Sequence, residues 1–204
     1  MTTRIAIPTA ILFVMFFAAP ASAHSLITYT ATPDSYARAA EVKDPDVSRV
    51  IYREISPGST QTWIRFRGTR RKKISLNLGV PRIDRLSGFR PSVALVGPGL
   101  PAAPVPFDLP PDAGALIFTS QYPADAPPQV FHEEFTGTDS WMLLKTEVEL
   151  PETGEYYLVA FPSTPEDAAG KLWLAIGTKE RFTLGEIFGI GKVRRFVREF
   201  HEMR

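Results

Sequence analysis

Proline and glycine interrupt this chain so often that no long helix can run through its middle. Nineteen prolines and fourteen glycines are spread over 204 residues. Each interior proline removes an amide donor and clashes with the preceding helical turn. The segments left between them are short, and several alternate apolar with polar residues. Ile74, Leu76, Leu78 and Val80 fall at every second position, the spacing that lines one face of a strand. Val50–Ile55 and Thr62–Arg67 alternate too, and short segments bounded by turn residues predict further strands at His24–Thr30, Ala115–Phe118, Gln129–Thr136, Trp141–Leu150, Gly154–Phe161 and Lys171–Ile176. Pro91–Val96 is a continuous apolar run that suits a strand buried on both faces. Pro33–Asp46 is polar and alanine-rich, with Lys43–Asp46 as a turn, Arg70–Lys73 is a hairpin tip, and Leu100–Asp112 is an extended proline-rich loop. Short strands without intervening helices predict an all-β fold, an antiparallel β-sandwich or jelly roll.

The two ends of the chain read differently. Arg4, the apolar stretch Ile5–Ala19 and the small residues Ala21-Ser22-Ala23 have the form of a secretory signal peptide. Residues 1–23 are therefore expected to be removed, leaving a sandwich domain over 24–182 in the periplasm or outside the cell. Residues 183–204 form a C-terminal amphipathic helix packed on the sandwich. Thr183 and Glu186 fit a capping box. Val193, Phe196, Val197, Phe200 and Met203 share a helical stripe. Phe196, Val197 and Phe200 should dock, leaving Arg194, Arg195 and Arg198 to solvent. The alternative for this segment is contact with an anionic membrane.

Composition excludes several chemistries. The chain has no cysteine, which rules out disulfides, a thiol nucleophile, zinc–thiolate sites and iron–sulfur clusters. Of the 23 basic residues Arg4 leaves with the leader, so the rest balance the 22 acidic ones. Nucleic-acid binders carry a basic excess instead.

Cleavage before His24 would offer one metal ion both an α-amine and an imidazole. His132 stands beside Glu133 and Glu134, and copper(II) favours nitrogen donors in a square arrangement. His24, His132, Glu133 and Glu134 are therefore the candidate metal ligands, with copper as the metal. Asp44, Asp46 and Asp139 offer oxygen donors to calcium without a spaced loop motif. Ser140 has no sequence partner and no G-x-S-x-G elbow, so no catalytic set is assigned. Trp63, Trp141, Trp173, Tyr156 and Tyr157 could stack on sugars, yet each tryptophan sits in a predicted strand, where burial between sheets is the simpler expectation.

GEYYLVAF and GKLWLAIG, joined by a polar loop, resemble the closing strands of bacterial pre-peptidase C-terminal domains. Those are exported β-sandwich modules that usually lack catalytic residues. RPSVALVGPGLP and VFHEEFTGTDSW are similar to stretches in exported bacterial proteins of unassigned function that carry the same terminal helical segment. The resemblance implies a shared fold and no activity. A first-residue histidine on a β-sandwich also resembles, in outline, exported copper carriers and lytic polysaccharide monooxygenases. The sequence thus predicts an exported, non-catalytic binding or interaction module without a cofactor, its partner an envelope protein or glycan. Copper binding and carbohydrate binding are the alternatives.

Overall fold

The computed structural model describes residues 25–122, 125–164, 168–181 and 184–203, with the backbone alone for 184–188. The expected signal peptide, His24 and Thr183 of the expected capping box lie outside the described residues.

The period-two segment forms β5, Lys73–Pro81, and its four alternating apolar side chains are all buried. β5 belongs to a six-stranded sheet ordered β1-β3-β11-β5-β9-β8. Its other members are β1 (Ser25–Leu26), β3 (Arg49–Ile55), β8 (Gln129–Glu133), β9 (Thr138–Glu149) and β11 (Gly170–Ile176). A five-stranded sheet ordered β2-β4-β10-β6-β7 faces it. It holds β2 (Ala40–Val42), β4 (Thr62–Gly68), β6 (Ser92–Gly97), β7 (Gly114–Phe118) and β10 (Gly154–Phe161). Ile51, Phe66, Leu78, Leu95, Leu158 and Leu174 fill the space between the sheets. Tyr156 joins them, and its hydroxyl reaches the rim, where it meets the Pro98 carbonyl at 3.0 Å and the Glu152 carbonyl at 2.9 Å. A buried phenol needs such a partner.

The ladders are antiparallel except at one side of the sandwich. There β1 pairs parallel with β3, and β2 parallel with β4. The first four strands alternate between the sheets, so a strand returning to its own sheet arrives in its original direction. β2 arises within the polar, alanine-rich stretch, where three residues carry too short a pattern to read. The expected strand Gln129–Thr136 ends at Glu133 instead. Gly137 takes φ +67 and donates its amide to the Glu133 carbonyl at 2.8 Å, closing a hairpin whose second arm is β9.

Trp63 and Trp173 are buried, but on the outer faces rather than between the sheets. Trp63, Val159, Tyr157 and Phe161 line the outer face of the five-stranded sheet, beneath a strap formed by residues 98–113. Ala103, Val105, Phe107 and Leu109 of the strap point inward, while Pro104, Pro106 and Asp108 are exposed. The strap lies so close to Gly114 that a Cβ there would sit 2.0 Å from the Leu100 carbonyl oxygen. Trp141 is half-buried against the central core.

The outer face of the six-stranded sheet carries Val50, Tyr52, Trp173, Ala175 and Phe131. Helix α1, Leu184–Phe200, docks there through its last turns. Val197 is buried and Phe200 is half-buried, but Phe196, expected to dock, is 43% exposed, with a T-shaped contact to Tyr52 and a tilted one to Phe200. Neighbouring helical residues lie about 100° apart around the axis, so the strip through Val197 and Phe200 turns Phe196 to one side. Arg198, expected in solvent, is half-buried and donates to the Thr136 carbonyl at 3.1 Å.

Candidate functional site

The most organised polar group lies where α1 meets the sheet. Gly79 on β5 has no side chain, so the Trp173 indole crosses over it; a Cβ there would sit 2.2 Å from the ring. Reaching past β5, the indole Nε1–H donates to Ser140 Oγ on β9 at 3.0 Å. Ser140 Oγ lies 3.0 Å from His201 Nε2, and His201 Nδ1 lies 2.7 Å from the Val197 carbonyl.

Valence fixes the protons. The Val197 carbonyl only accepts, so neutral His201 carries its proton on Nδ1. Nε2 then accepts from the Ser140 hydroxyl, which itself accepts from Trp173. Ser140 is 3% and His201 6% exposed. Burial lowers the His201 imidazole below its ordinary value, and the nearby Lys171 ammonium lowers it further against opposing pulls from Val197 and Asp139. Tyr52, packed against the His201, Phe196 and Phe200 rings, is pushed well above the ordinary phenol range by burial and then by Glu133.

Lys171 closes the lower end of this contact. Its Nζ donates to the Phe200 carbonyl at 3.1 Å and to Glu202 at 2.8 Å. Arg85 pairs with the same Glu202 carboxylate. The helix terminus thus has a cation at its carbonyl end, where the dipole favours one.

A serine hydrogen-bonded to an imidazole is half of a hydrolase triad. Here the second imidazole nitrogen faces a backbone carbonyl rather than a carboxylate. The serine oxygen already receives the indole N–H, and both partners are buried. The arrangement holds a helix to a sheet. Ser140 and His201 are 61 residues apart, and no spacing rule in the sequence links them.

Of the candidate metal ligands, His132, Glu133 and Glu134 are among the described residues. His132 is exposed on β8, and its Nδ1 lies 2.7 Å from Asp139 Oδ1, while Arg82 holds the other carboxylate oxygen at 3.4 Å. The His132 hydrogen bond is the main cause that lowers the Asp139 carboxyl. Glu133 follows His132 in a strand and points to the opposite face. Burial raises its carboxyl, although the Phe135 amide donates to it at 3.3 Å. Glu134 is exposed in the turn. His24 lies outside the described residues, and its neighbour Ser25 belongs to β1, at the opposite edge of the sheet from β8. Five strand steps of about 4.8 Å separate those edges. Among the described residues, no group of three or more metal-binding side chains converges.

The calcium set is dispersed. Asp46 is claimed by Lys72 at 2.9 Å and Lys179 at 3.0 Å, with Lys72 the leading cause of its lowered carboxyl. Asp44 faces Arg181, and Asp139 faces His132 and Arg82. The aromatic platform is corrected outright. Trp63, Trp173, Tyr156 and Tyr157 are buried and present no flat row of rings to a sugar.

Three clefts adjoin at the sandwich edge formed by β1 and β2. A cleft of about 430 Å³ there is lined by Thr28–Ala31 and Ala37–Glu41, with Tyr29 exposed. A second, of about 280 Å³, continues along Leu26–Thr28 and Glu41–Asp44 to Arg49 and Arg181. On the far side of β2 a third, of about 350 Å³, runs beside Arg65, Arg67 and Glu155.

No family model and no curated protein matches the chain. Among solved structures it is similar to the pre-peptidase C-terminal domain of a collagenase from Bacillus anthracis, at 11% identity and TM-score 0.33, over 68% of this chain and 93% of that one. It is similar to CorA, a surface-associated copper-binding protein of Methylomicrobium album, at 13% identity and TM-score 0.35, over 69% and 98% of the two chains. It is also similar to MopE, a copper-binding secreted protein of Methylococcus capsulatus, at 15% identity and TM-score 0.26, over 58% and 70%. At these identities and scores none of the three assigns a metal, ligand or activity to this chain, whose architecture is a β-sandwich with a terminal helix.

Proposed function

We propose that this chain is an exported β-sandwich of the bacterial cell envelope that binds a protein partner and performs no catalysis of its own. The observation that carries this reading is the distribution of covered and open surface. The strap covers one outer face, α1 docks on the other, and the serine–histidine pair serves that docking. β1, β2, β7 and β8 each end a sheet, and at the β1/β2 edge β2 is hydrogen-bonded on one side only while adjoining clefts carry residues of both charges. A short strand with one free edge can accept an extended segment of another protein through backbone hydrogen bonds.

Export follows from the form of residues 1–23 and belongs to the same proposal. The test is photo-crosslinking in the producing cell, with the probe at Tyr29 or Glu41 and a control probe at Glu147 of β9. A discrete adduct from the two edge positions and none from the control is the expected result. Adducts from no edge position, or labelling of Ser140 by a fluorophosphonate, would contradict the reading.

A further inference from the structure

We infer that the outward face of α1 lies against an anionic phospholipid surface while its last turns stay docked on the sandwich. Among the described residues six large apolar side chains are exposed, and three of them, Ile190, Phe196 and Met203, fall within the final helical segment. Lys192 and Phe196 lie one turn apart on the same flank of α1, Arg195 borders them, and Met203, just past the helix end, lines one groove with Arg194 and Arg195.

Charge identifies the occupant. The mature chain is balanced overall, yet Lys192, Arg194, Arg195 and Arg198 place four cations in seven residues. Arg194, Arg195 and Arg198 line a shallow groove of about 480 Å³ together with Gly191, Glu199 and Met203. Lys192, Arg194 and Arg195 are exposed. Apolar residues beside clustered cations suit a bilayer interface, where the former enter the headgroup boundary and the latter meet lipid phosphates. No described helix is long and apolar enough to cross a membrane, so the contact is along the surface. Val197, Phe200 and His201 remain committed to the sheet, and nothing in the contact requires α1 to leave it.

The experiment is co-sedimentation of the mature protein with vesicles of phosphatidylcholine, alone or mixed with phosphatidylglycerol. Binding to the mixed vesicles at low salt, weakened by high salt, is expected. Combined Lys192→Glu and Arg195→Glu should lower partitioning by at least about thirtyfold, since each cation near an anionic surface contributes about fivefold. Phe196→Ser should weaken it independently. Both variants alter exposed side chains, so an unchanged melting temperature verifies that the fold persists. No binding to mixed vesicles, equal binding to phosphatidylcholine alone, or binding indifferent to both variants would overturn the inference. Any of these leaves the β1/β2-edge proposal standing, because crosslinking at Tyr29 reports a different element.

Discussion

His201 keeps its proton on Nδ1 because the Val197 carbonyl can only accept, and that single constraint orders Ser140 and Trp173 behind it. Burial holds the folded imidazole below its ordinary value of 6.5, so the unfolded chain binds this proton more readily. The stability supplied by neutral His201 is complete above the unfolded value and is lost as pH falls through it. The carboxyls of Asp46, Asp139 and Glu202 are lowered as well, but their contribution is lost further down, in the carboxylate range. Melting temperature followed from pH 8 to about 5.5 should decline, and His201→Gln, which cannot titrate, should flatten the decline. An equal slope in the variant would show that His201 does not titrate on unfolding. A different mechanism acts at Leu76, which is fully buried between the sheets. Leu76→Ala should cost about 2–5 kcal/mol by removing transfer energy and leaving a cavity, measured by denaturant unfolding. An unchanged midpoint would mean that this face of β5 does not point inward.

At the scale of elements, α1 and the strap do the same work on opposite faces, covering aromatic residues that the sheets alone would expose. Truncation after Gly191 removes Val197, Phe200 and His201 and takes both hydrogen-bond partners from Lys171. Its melting temperature should therefore drop without any membrane present; an unchanged value would mean that the last turns of α1 do not dock. The strands were legible because apolar alternation is local: Ile74 to Val80 declares its own face. The turns were legible for the same reason, through Pro81 and Gly97-Pro98-Gly99. What covers an outer face was not, because a strand states only that a side chain has a face, never which layer meets it. Trp63 was readable as buried, but the strap covering it, although its inward residues alternate, is so rich in proline that it reads as a loop and lies in no sheet. The helix stripe was readable, yet it was drawn too wide at Phe196, since the width of a docked strip depends on the curvature of the sheet beneath. β2 escaped because three residues cannot establish a period, and the Ser140–His201 pairing escaped because tertiary folding alone joins β9 to the chain terminus.

The whole molecule is a sandwich whose outer faces are met by its own chain, the strap on one and α1 on the other. This arrangement also bears on copper. Because β1 and β8 occupy opposite edges, His132→Ala should leave any copper affinity of the mature N-terminus unchanged in calorimetry. A loss of affinity would require the two edges to meet, within or between molecules. The most direct test of the architecture as a whole is hydroxyl-radical footprinting of the intact mature protein, read residue by residue by mass spectrometry. Trp63, Trp173, Tyr156 and Tyr52 should be protected, while Tyr29, Phe196 and Met203 oxidise readily. Oxidation of Trp63 or Trp173 at rates matching Tyr29 would contradict the account, because it would show the outer faces open rather than covered.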